Sequence, residues 1–194
     1  MAVSARPFHH GNLRVTLLDQ AEVVLRERGI EALSLRELAR EAGVSHGAPR
    51  SHFIDRNALL DALAERGLYR LADQIRTASG MSQNLAESLL ATGLAYLKFA
   101  EEDPALLELM VTAKADAPSD NVRAAGRELL AAMTIVVARG VDAGLYKTEQ
   151  VPGLVLLLSA TARGIASLVA SRNIDTSTGE TLMAVAVERF VTGR

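Results

Sequence analysis

Apolar residues recur every three or four positions along most of the chain, the spacing that places side chains on one face of an α-helix. The first such stripe consists of Leu13, Leu17, Ala21, Val24 and Leu25. It predicts a helix from about Asn12 to Arg28, ended by Gly29. No segment shows the strict alternation of a β-strand, so the pattern predicts an all-α protein.

Two short helices are predicted next. Ser34 opens "SLRELAREAG" with Glu37 three residues later, which is a capping box, and Gly43 ends this helix. Ser45 is predicted to cap the following helix, from His46 to about His52.

The remaining helices are longer. Asp55 is predicted to cap a helix that runs to about Thr77, and five more follow, at about Leu85–Glu102, Pro104–Ala113, Asn121–Ala143, Pro152–Ser171 and Thr178–Val191. This gives about nine helices. We expect a three-helix head in residues 1–56, joined by the start of the fourth helix (to about residue 65) to a larger bundle in residues 57–194.

Composition narrows the classes of function. The 194 residues include no Cys, and all four His lie within residues 1–60, so the bundle has no imidazole or thiol for catalysis. No glycine-rich phosphate loop appears, and the one pair of His near metal-binding spacing is His46 and His52, six apart. We therefore expect no enzyme activity, no metal and no cofactor.

The chain shows no segment that predicts export or membrane insertion. The N-terminus lacks an apolar signal region, and the longest uncharged run, from Gln150 to Ala162, is shorter than the ~18 residues of a membrane span. We expect a cytoplasmic protein without a membrane partner. The net charge is −2 in all, with eight Arg against seven acids in residues 1–60, so the head is slightly basic.

The small helices of the head have the features of a helix-turn-helix. That motif needs a small residue in its first helix, a Gly in the tight turn and apolar residues on both facing sides. Leu38 and Ala39 supply the first helix and Gly43 the turn, while Ala48 and Phe53 are predicted to anchor the second helix.

The second of these helices is intrinsically weak. Gly47 costs roughly 1 kcal/mol relative to Ala inside a helix, and Pro49 forfeits a backbone bond. His46 and Arg50 would share an outward face with Gly47 beside them, while Ala48 would point inward. Such a bare, positively charged face suits insertion into a DNA major groove, where Arg50 would bind a guanine edge or a phosphate.

Three stretches, "HHGNLRVTLLDQA", "SLRELAREAGVSHGAPRSHF" and "DRNALLDAL", resemble the N-terminal DNA-binding domain of TetR-type transcriptional regulators over about residues 9–65. That family usually has Tyr-Arg-His-Phe where this chain has Arg50-Ser51-His52-Phe53, so Arg50 would replace the usual Tyr contact. The family's basic residue at the start of the next helix matches Arg56. Together, outward face and resemblance predict DNA contacts from Arg36, Ser45, His46, Gly47, Arg50, Ser51, His52 and Arg56.

Residues before the first helix add a second candidate DNA contact. Arg6, His9 and His10 would form an arm along the DNA backbone or minor groove, the alternative being a frayed terminus.

The bundle resembles a ligand-sensing domain. "YLKFAEEDPALLELM" and "ARGIASLV" are similar to the WHG-type C-terminal half in one branch of the same family, with Arg163 where that branch has His. A pocket is predicted between the helices, with Gly93 and Gly126 making room, and it would be lined by Tyr96, Phe99, Met110 and Met133. The alternative is that these four side chains simply fill the core.

The last two helices carry more apolar surface than a terminal pair needs. Small residues such as Ala160 and Ser167 would let a second helix approach closely. We expect a homodimer through a four-helix bundle that involves Leu157, Gly164, Leu168 and Val185. The alternative is that these helices cover only their own subunit.

These features predict a repressor that binds a pseudo-palindromic double-stranded DNA operator as a homodimer and responds to an unknown small-molecule effector in the bundle. The alternative is a helical adaptor without sequence-specific DNA binding.

Overall fold

The structure of the chain is a computed structural model that describes residues 13–82, 84–115 and 118–192. Within these ranges it contains eight α-helices and no strand, which confirms the all-α prediction. The helices are α1 (Leu13–Arg28), α2 (Leu35–Glu41), α3 (Arg56–Gly80), α4 (Leu85–Glu102), α5 (Pro104–Ala115), α6 (Asp120–Asp142), α7 (Val151–Ala170) and α8 (Thr176–Thr192). Three short 3₁₀ segments lie at Ile30–Ala32, Ala48–Ser51 and Thr148–Gln150.

The segment from His46 to His52 does not form the predicted α-helix. The structure therefore has eight α-helices among the described residues where about nine helices were expected. Only the 3₁₀ segment Ala48–Ser51 forms there, because Pro49 lacks an N–H and disfavours α geometry in the residue before it. The Ala48 N–H bonds the carbonyl of Ser45 at 3.0 Å, the acceptor that an α-helix would give to residue 49. The predicted Ser45 side-chain cap is also absent, since the segment begins at Gly47 without a side-chain cap.

The turn after α2 is set by backbone hydrogen bonds. Gly43 has φ +65°, the left-handed region, and its N–H bonds the carbonyl of Arg40 at 3.2 Å. The Val44 N–H reaches the carbonyl of Ala39 at 3.0 Å, which completes a Schellman motif. At the other end of α2, Ser34 Oγ accepts from the Glu37 N–H at 3.2 Å, as predicted. The Glu37 carboxylate pairs with arginines, so only half of the predicted capping box forms.

One core runs through both parts of the molecule. Head residues such as Leu38 and Phe53 belong to the same buried cluster as Met133 of α6 and Met183 of α8. Helix α3 is the shared element, because it begins in the head, ends in the body and packs against α4, α5 and α6. In the body, α7 packs against α4 and α6, and α8 against α4 and α7.

The predicted boundary between residues 56 and 57 falls at the first residue of α3, where Asp55 Oδ1 accepts from the Ala58 N–H at 2.8 Å as the predicted N-cap. Because α3 continues without a break into the body, the head rests on the body's own core.

Replacing Gly43 with Ala should destabilise the head. A left-handed backbone costs a residue with a Cβ about 1–2 kcal/mol, and no neighbouring atom lies within 4 Å to add a clash. Gly47 is the matched control: it also has open space, but its φ of −86° suits any residue, so Gly47→Ala should change stability by less than about 0.5 kcal/mol. Urea denaturation measures both, and equal losses would contradict the role given to the turn.

Candidate nucleic-acid interface and its connection to the body

Segment 45–52 presents a continuous exposed surface on the head. Its exposed residues are Ser45, His46, Gly47, Arg50, Ser51 and His52, which are all predicted contacts. The residues that hold it inward are Pro49 and Phe53, both buried, whereas Ala48 is only half-buried. The predicted inward role of Ala48 is thus taken mainly by Pro49, whose carbonyl also accepts from the Phe53 N–H at 2.9 Å.

Two cations, one on α2 and one within this segment, are free of partners among the described residues. Arg36 on α2 and Arg50 are exposed, and no hydrogen bond or ion pair to described groups engages either guanidinium. Phosphate contacts depend on such available arginines. Both residues were predicted as DNA contacts, and the fold leaves both accessible.

Other head arginines are already neutralised. Arg28 pairs with Glu37 and Glu41, and Arg40 pairs with Glu37, so this corner of α2 carries little unbalanced charge. The hydrogen bond and charge of Arg40, followed by those of Arg28, lower the pKa of Glu37 and keep it ionised. The positive surface is therefore narrower than the number of head arginines suggests.

A further exposed arginine was missed by the sequence reasoning. The guanidinium carbon of Arg14, near the start of α1, lies 5.3 Å from the centroid of the Phe53 ring, in a cation–π arrangement. This contact places a positive charge beside segment 45–52, although the two residues are 39 positions apart. No local motif signals it, because only the folded head brings them together.

Arg56, predicted to contact a phosphate, also has a structural role. Its Nε donates to the carbonyl of Leu33 at 2.9 Å and its Nη2 to that of Ile30 at 2.6 Å. The side chain therefore ties the start of α3 to the connection between α1 and α2. These two bonds leave N–H donors of the guanidinium unused, so the phosphate contact of Arg56 stays a prediction.

The predicted N-terminal arm, Arg6, His9 and His10, lies outside the described residues.

The four residues predicted to line a pocket lie in the packed core: Tyr96, Phe99, Met110 and Met133 are at most 4% exposed. Gly93, expected to make room, has the sulfur of Met183 in the space that a Cβ would occupy. Burial raises the pKa of Tyr96, an effect that the nearby positive charge of Arg163 partly offsets. The structure therefore follows the core-filling alternative for these residues.

Open grooves of about 870, 740 and 610 Å³ lie on the described part of the body instead. The first lies between α3 and α4 and has apolar walls that include Ala91, Leu94 and Met81. The second separates α5 from α7, and the third separates α7 from α8. Among the described residues, no group of three His, Asp or Glu is arranged to hold a metal ion.

A chain of alternating charges joins the head to the body, and we call it the clasp. Its centre is Asp103, between α4 and α5, which is only 9% exposed. Asp103 Oδ1 accepts from Arg26 Nε and Nη2 of α1 at 3.0 and 2.5 Å, and Oδ2 accepts from Arg70 Nη2 of α3 at 2.8 Å. A nearly buried carboxylate is thus bound by two guanidinium groups.

The clasp continues along α1 and α3. Arg70 Nη1 also donates to Glu22 Oε2 at 2.9 Å, and Arg66 forms ion pairs with Glu22 and Asp19, at 3.2 and 2.6 Å. The guanidinium carbon of Arg70 lies 5.2 Å from the centroid of the Phe99 ring of α4. Sequence reasoning missed the clasp because its partners are up to 77 positions apart, beyond any local pattern.

Helices α7 and α8 expose several apolar side chains. Leu157, Leu168 and Val185, three of the predicted interface residues, are 54, 40 and 46% exposed. The fourth, Gly164, is exposed, and a Cβ added to it would meet no atom within 4 Å, so the surface beside it is open. The stretch Thr148–Ala170 is also long and apolar enough to cross a membrane by length and composition, although here it packs on α4, α6 and α8.

The architecture is a helix-turn-helix head on a larger helical body. This is the architecture of helix-turn-helix regulators. Two family models match the chain: bacterial regulatory proteins of the tetR family over residues 17–63, and tetracyclin repressor-like C-terminal domains over residues 89–190. The chain belongs to the tetR family of bacterial regulatory proteins, which confirms the resemblance given above; the WHG-type branch stays a prediction. These family regulators are DNA-binding proteins with a ligand-binding C-terminal domain.

Solved structures share the fold. A protein of unknown function from Rhodococcus sp. RHA1 is 38% identical, with a TM-score of 0.87 over 97% of this chain and 98% of that chain. A TetR family transcription regulator from Marinobacter aquaeolei VT8 is 18% identical, with a TM-score of 0.71 and coverages of 91 and 94%. The regulator FadR from Bacillus subtilis, in complex with stearoyl-CoA, is 15% identical, with a TM-score of 0.71 and coverages of 93 and 98%. None of the curated proteins matches the chain significantly.

Asp103→Asn should loosen the head from the body. The Asn amide keeps the shape of the side chain but removes the negative charge that the two guanidinium groups neutralise. Because Arg26 is half exposed, water partly compensates its lost partner, and we expect the free energy of unfolding to fall by about 1–3 kcal/mol. Asp73→Asn on α3 is the control, since Asp73 is 75% exposed and its pair with Arg76 contributes at most about 1 kcal/mol. Denaturation gives the energies, and hydrogen exchange should rise in α1 before α6. Unchanged exchange in α1 would show that the clasp does not hold the head.

Proposed function

We propose that the protein is a transcriptional repressor that binds a pseudo-palindromic operator as a homodimer. The observation that carries this proposal is segment 45–52, whose predicted contacts are exposed together, with Arg36 and Arg50 as cations unpaired among the described residues. We propose repression and not activation, because a dimer bound to the operator can block RNA polymerase without contacting any further protein.

A 3₁₀ segment would enter the DNA groove differently from a full recognition helix. It is four residues long, so it offers few side chains, and Gly47 lets its backbone come close to the DNA. Arg50 would make the main charged contact at its tip, with His46, Ser51 and His52 around it. Affinity then depends on a few well-placed groups, and we expect modest non-specific binding.

The homodimer would form through the exposed apolar side of α7 and α8. Leu157, Leu168 and Val185 would meet their symmetry copies in a four-helix bundle, close to Gly164. The two heads would then contact half-sites about 34–36 Å apart or further, as other helix-turn-helix dimers do.

The effector would act through the clasp. The 870 Å³ groove between α3 and α4 has an apolar wall, and Arg70 and Lys98 also line it. A small molecule bound there contacts Arg70 directly, and Arg70 bonds both Glu22 of the head and Asp103 of the body. Its binding would shift α1 relative to α5 and change DNA affinity by a coupling of about 1–3 kcal/mol.

Selection of bound DNA from a randomised pool tests the proposal as a whole. We expect one enriched pseudo-palindrome with half-sites one or more helical turns apart. Recovery of no enriched sequence favours the helical-adaptor alternative, and an enriched but asymmetric site contradicts the dimeric reader. Stearoyl-CoA, the compound bound to FadR, is a suitable first probe of the body in thermal-shift assays.

Arg50→Ala should weaken binding to the selected operator. If Arg50 binds a phosphate, affinity falls equally on operator and random DNA, and the slope of log affinity against log salt decreases by about one. If it reads a base, the loss is about 1–3 kcal/mol and confined to the operator. Arg127→Ala, an exposed arginine of α6, serves as the control and should change neither. An unaltered affinity for Arg50→Ala would remove Arg50 from the interface.

Gly47→Ala should lower DNA affinity without lowering stability. The added methyl meets no atom of the protein within 4 Å, so only a surface brought close from outside can clash with it. Titrations of fluorescent operator, compared with the denaturation curve of the same variant, separate the two effects. Full affinity in this variant would mean that the backbone at Gly47 does not approach the DNA.

A further inference from the structure

Two opposite charges line the groove between α5 and α7 without pairing. Glu108 of α5 and Arg163 of α7 both border this groove of about 740 Å³ and both are exposed. Neither side-chain charge forms an ion pair or a hydrogen bond with any described residue, and they do not pair with each other. This contrasts with the arginines of the clasp, each of which meets at least one carboxylate.

The groove adjoins the apolar side of α7. Leu156 is 61% exposed, and Leu157 and Leu168 follow on the outward surface of the same helix. Ala160, Gly164 and Ser167 line the groove itself, so its α7 wall is low and another helix can come close to it. The unpaired charges therefore lie at the edge of the face that the proposed dimer would cover.

We propose that Glu108 of each protomer pairs with Arg163 of the partner subunit in the homodimer. In a two-fold interface, a contact from one residue to another is repeated in reverse, so one unlike pair on each chain gives two ion pairs across the interface. A second copy of the chain is the occupant that matches the groove, because the chain carries both charges needed. This inference rests on the homodimer of the proposed function and adds α5 to its interface.

The pairs would link dimerisation to the clasp. Helix α5 begins at Pro104, directly after Asp103, and the Asp103 carbonyl accepts from the Leu107 N–H at 3.0 Å. Glu108 follows at once, within the second turn of the same helix. A shift of the partner's α7 would therefore move α5 and the carboxylate that holds Arg26 and Arg70.

Mixing two charge-reversal variants tests the pairing across the interface. Glu108→Arg puts an arginine at both position 108 and position 163, and Arg163→Glu puts a glutamate at both. The homodimer of either variant therefore places like charges opposite each other. We expect each to dimerise at least about tenfold more weakly than the natural chain. Co-expressed with different tags, the two variants should form mostly heterodimers, because both contacts are then attractive. The double variant should recover the natural affinity.

The heterodimer result separates contacts between chains from contacts within one. If Glu108 and Arg163 acted only within their own chain, the double variant would still recover, but the mixture would show no excess of heterodimer in native mass spectrometry. Glu27→Arg and Arg127→Glu, exposed reversals on α1 and α6, are the control mixture and should give the statistical proportion.

Two outcomes overturn the proposal in distinguishable ways. If the natural chain dimerises but the mixture of variants shows no excess of heterodimer, the ion pairs between Glu108 and Arg163 are disproved and the homodimer stands. If the natural chain stays monomeric in sedimentation experiments, the homodimer of the proposed function is disproved as well.

Discussion

The carboxylate of Asp103 is held almost out of water between two guanidinium groups, one from the head and one from the shared helix α3. A charge in that position is tolerated only while both partners stay in place, because an unpaired buried carboxylate costs several kcal/mol. Among the described ion pairs, Arg26–Asp103 is also the one that joins α1 directly to the body beyond α3. The position of the head is thus bound to the junction between α4 and α5.

This constraint gives a physical meaning to the intrinsically weak segment that faces outward. Segment 45–52 has a Pro, a Gly and only one 3₁₀ turn, so its own backbone bonds cannot hold it. It is held instead by the buried side chains of Pro49 and Phe53 and by the Gly43 turn that precedes it. A rigid support therefore presents a surface with little structure of its own, which suits a backbone that must approach a ligand closely.

The body, in contrast, carries apolar surface on α7 and α8 that its own helices do not cover. Its interior is close-packed where a pocket was expected, with Met183 seated against Gly93. Its open space lies in grooves on the surface, along α3, α5 and α7. A ligand of the C-terminal domain would therefore bind in one of these surface grooves, or would have to move packed helices apart.

The sequence by itself determined the helices, their caps at Ser34 and Asp55, the turn at Gly43 and the family, because each depends on spacings of a few residues. It also grouped Ser45, His46, Gly47, Arg50, Ser51 and His52 as candidate DNA contacts, and the structure shows all six exposed. It predicted a helix from His46 to His52 where only the 3₁₀ segment Ala48–Ser51 forms. The effect of Pro49 on so short a segment depends on the residues that pack against it. The tertiary structure alone decided that Arg56 binds carbonyls, that Arg14 lies on Phe53 and that Asp103 joins head to body. Those contacts link residues that are tens of positions apart, and no local pattern of the chain records which distant charges will meet.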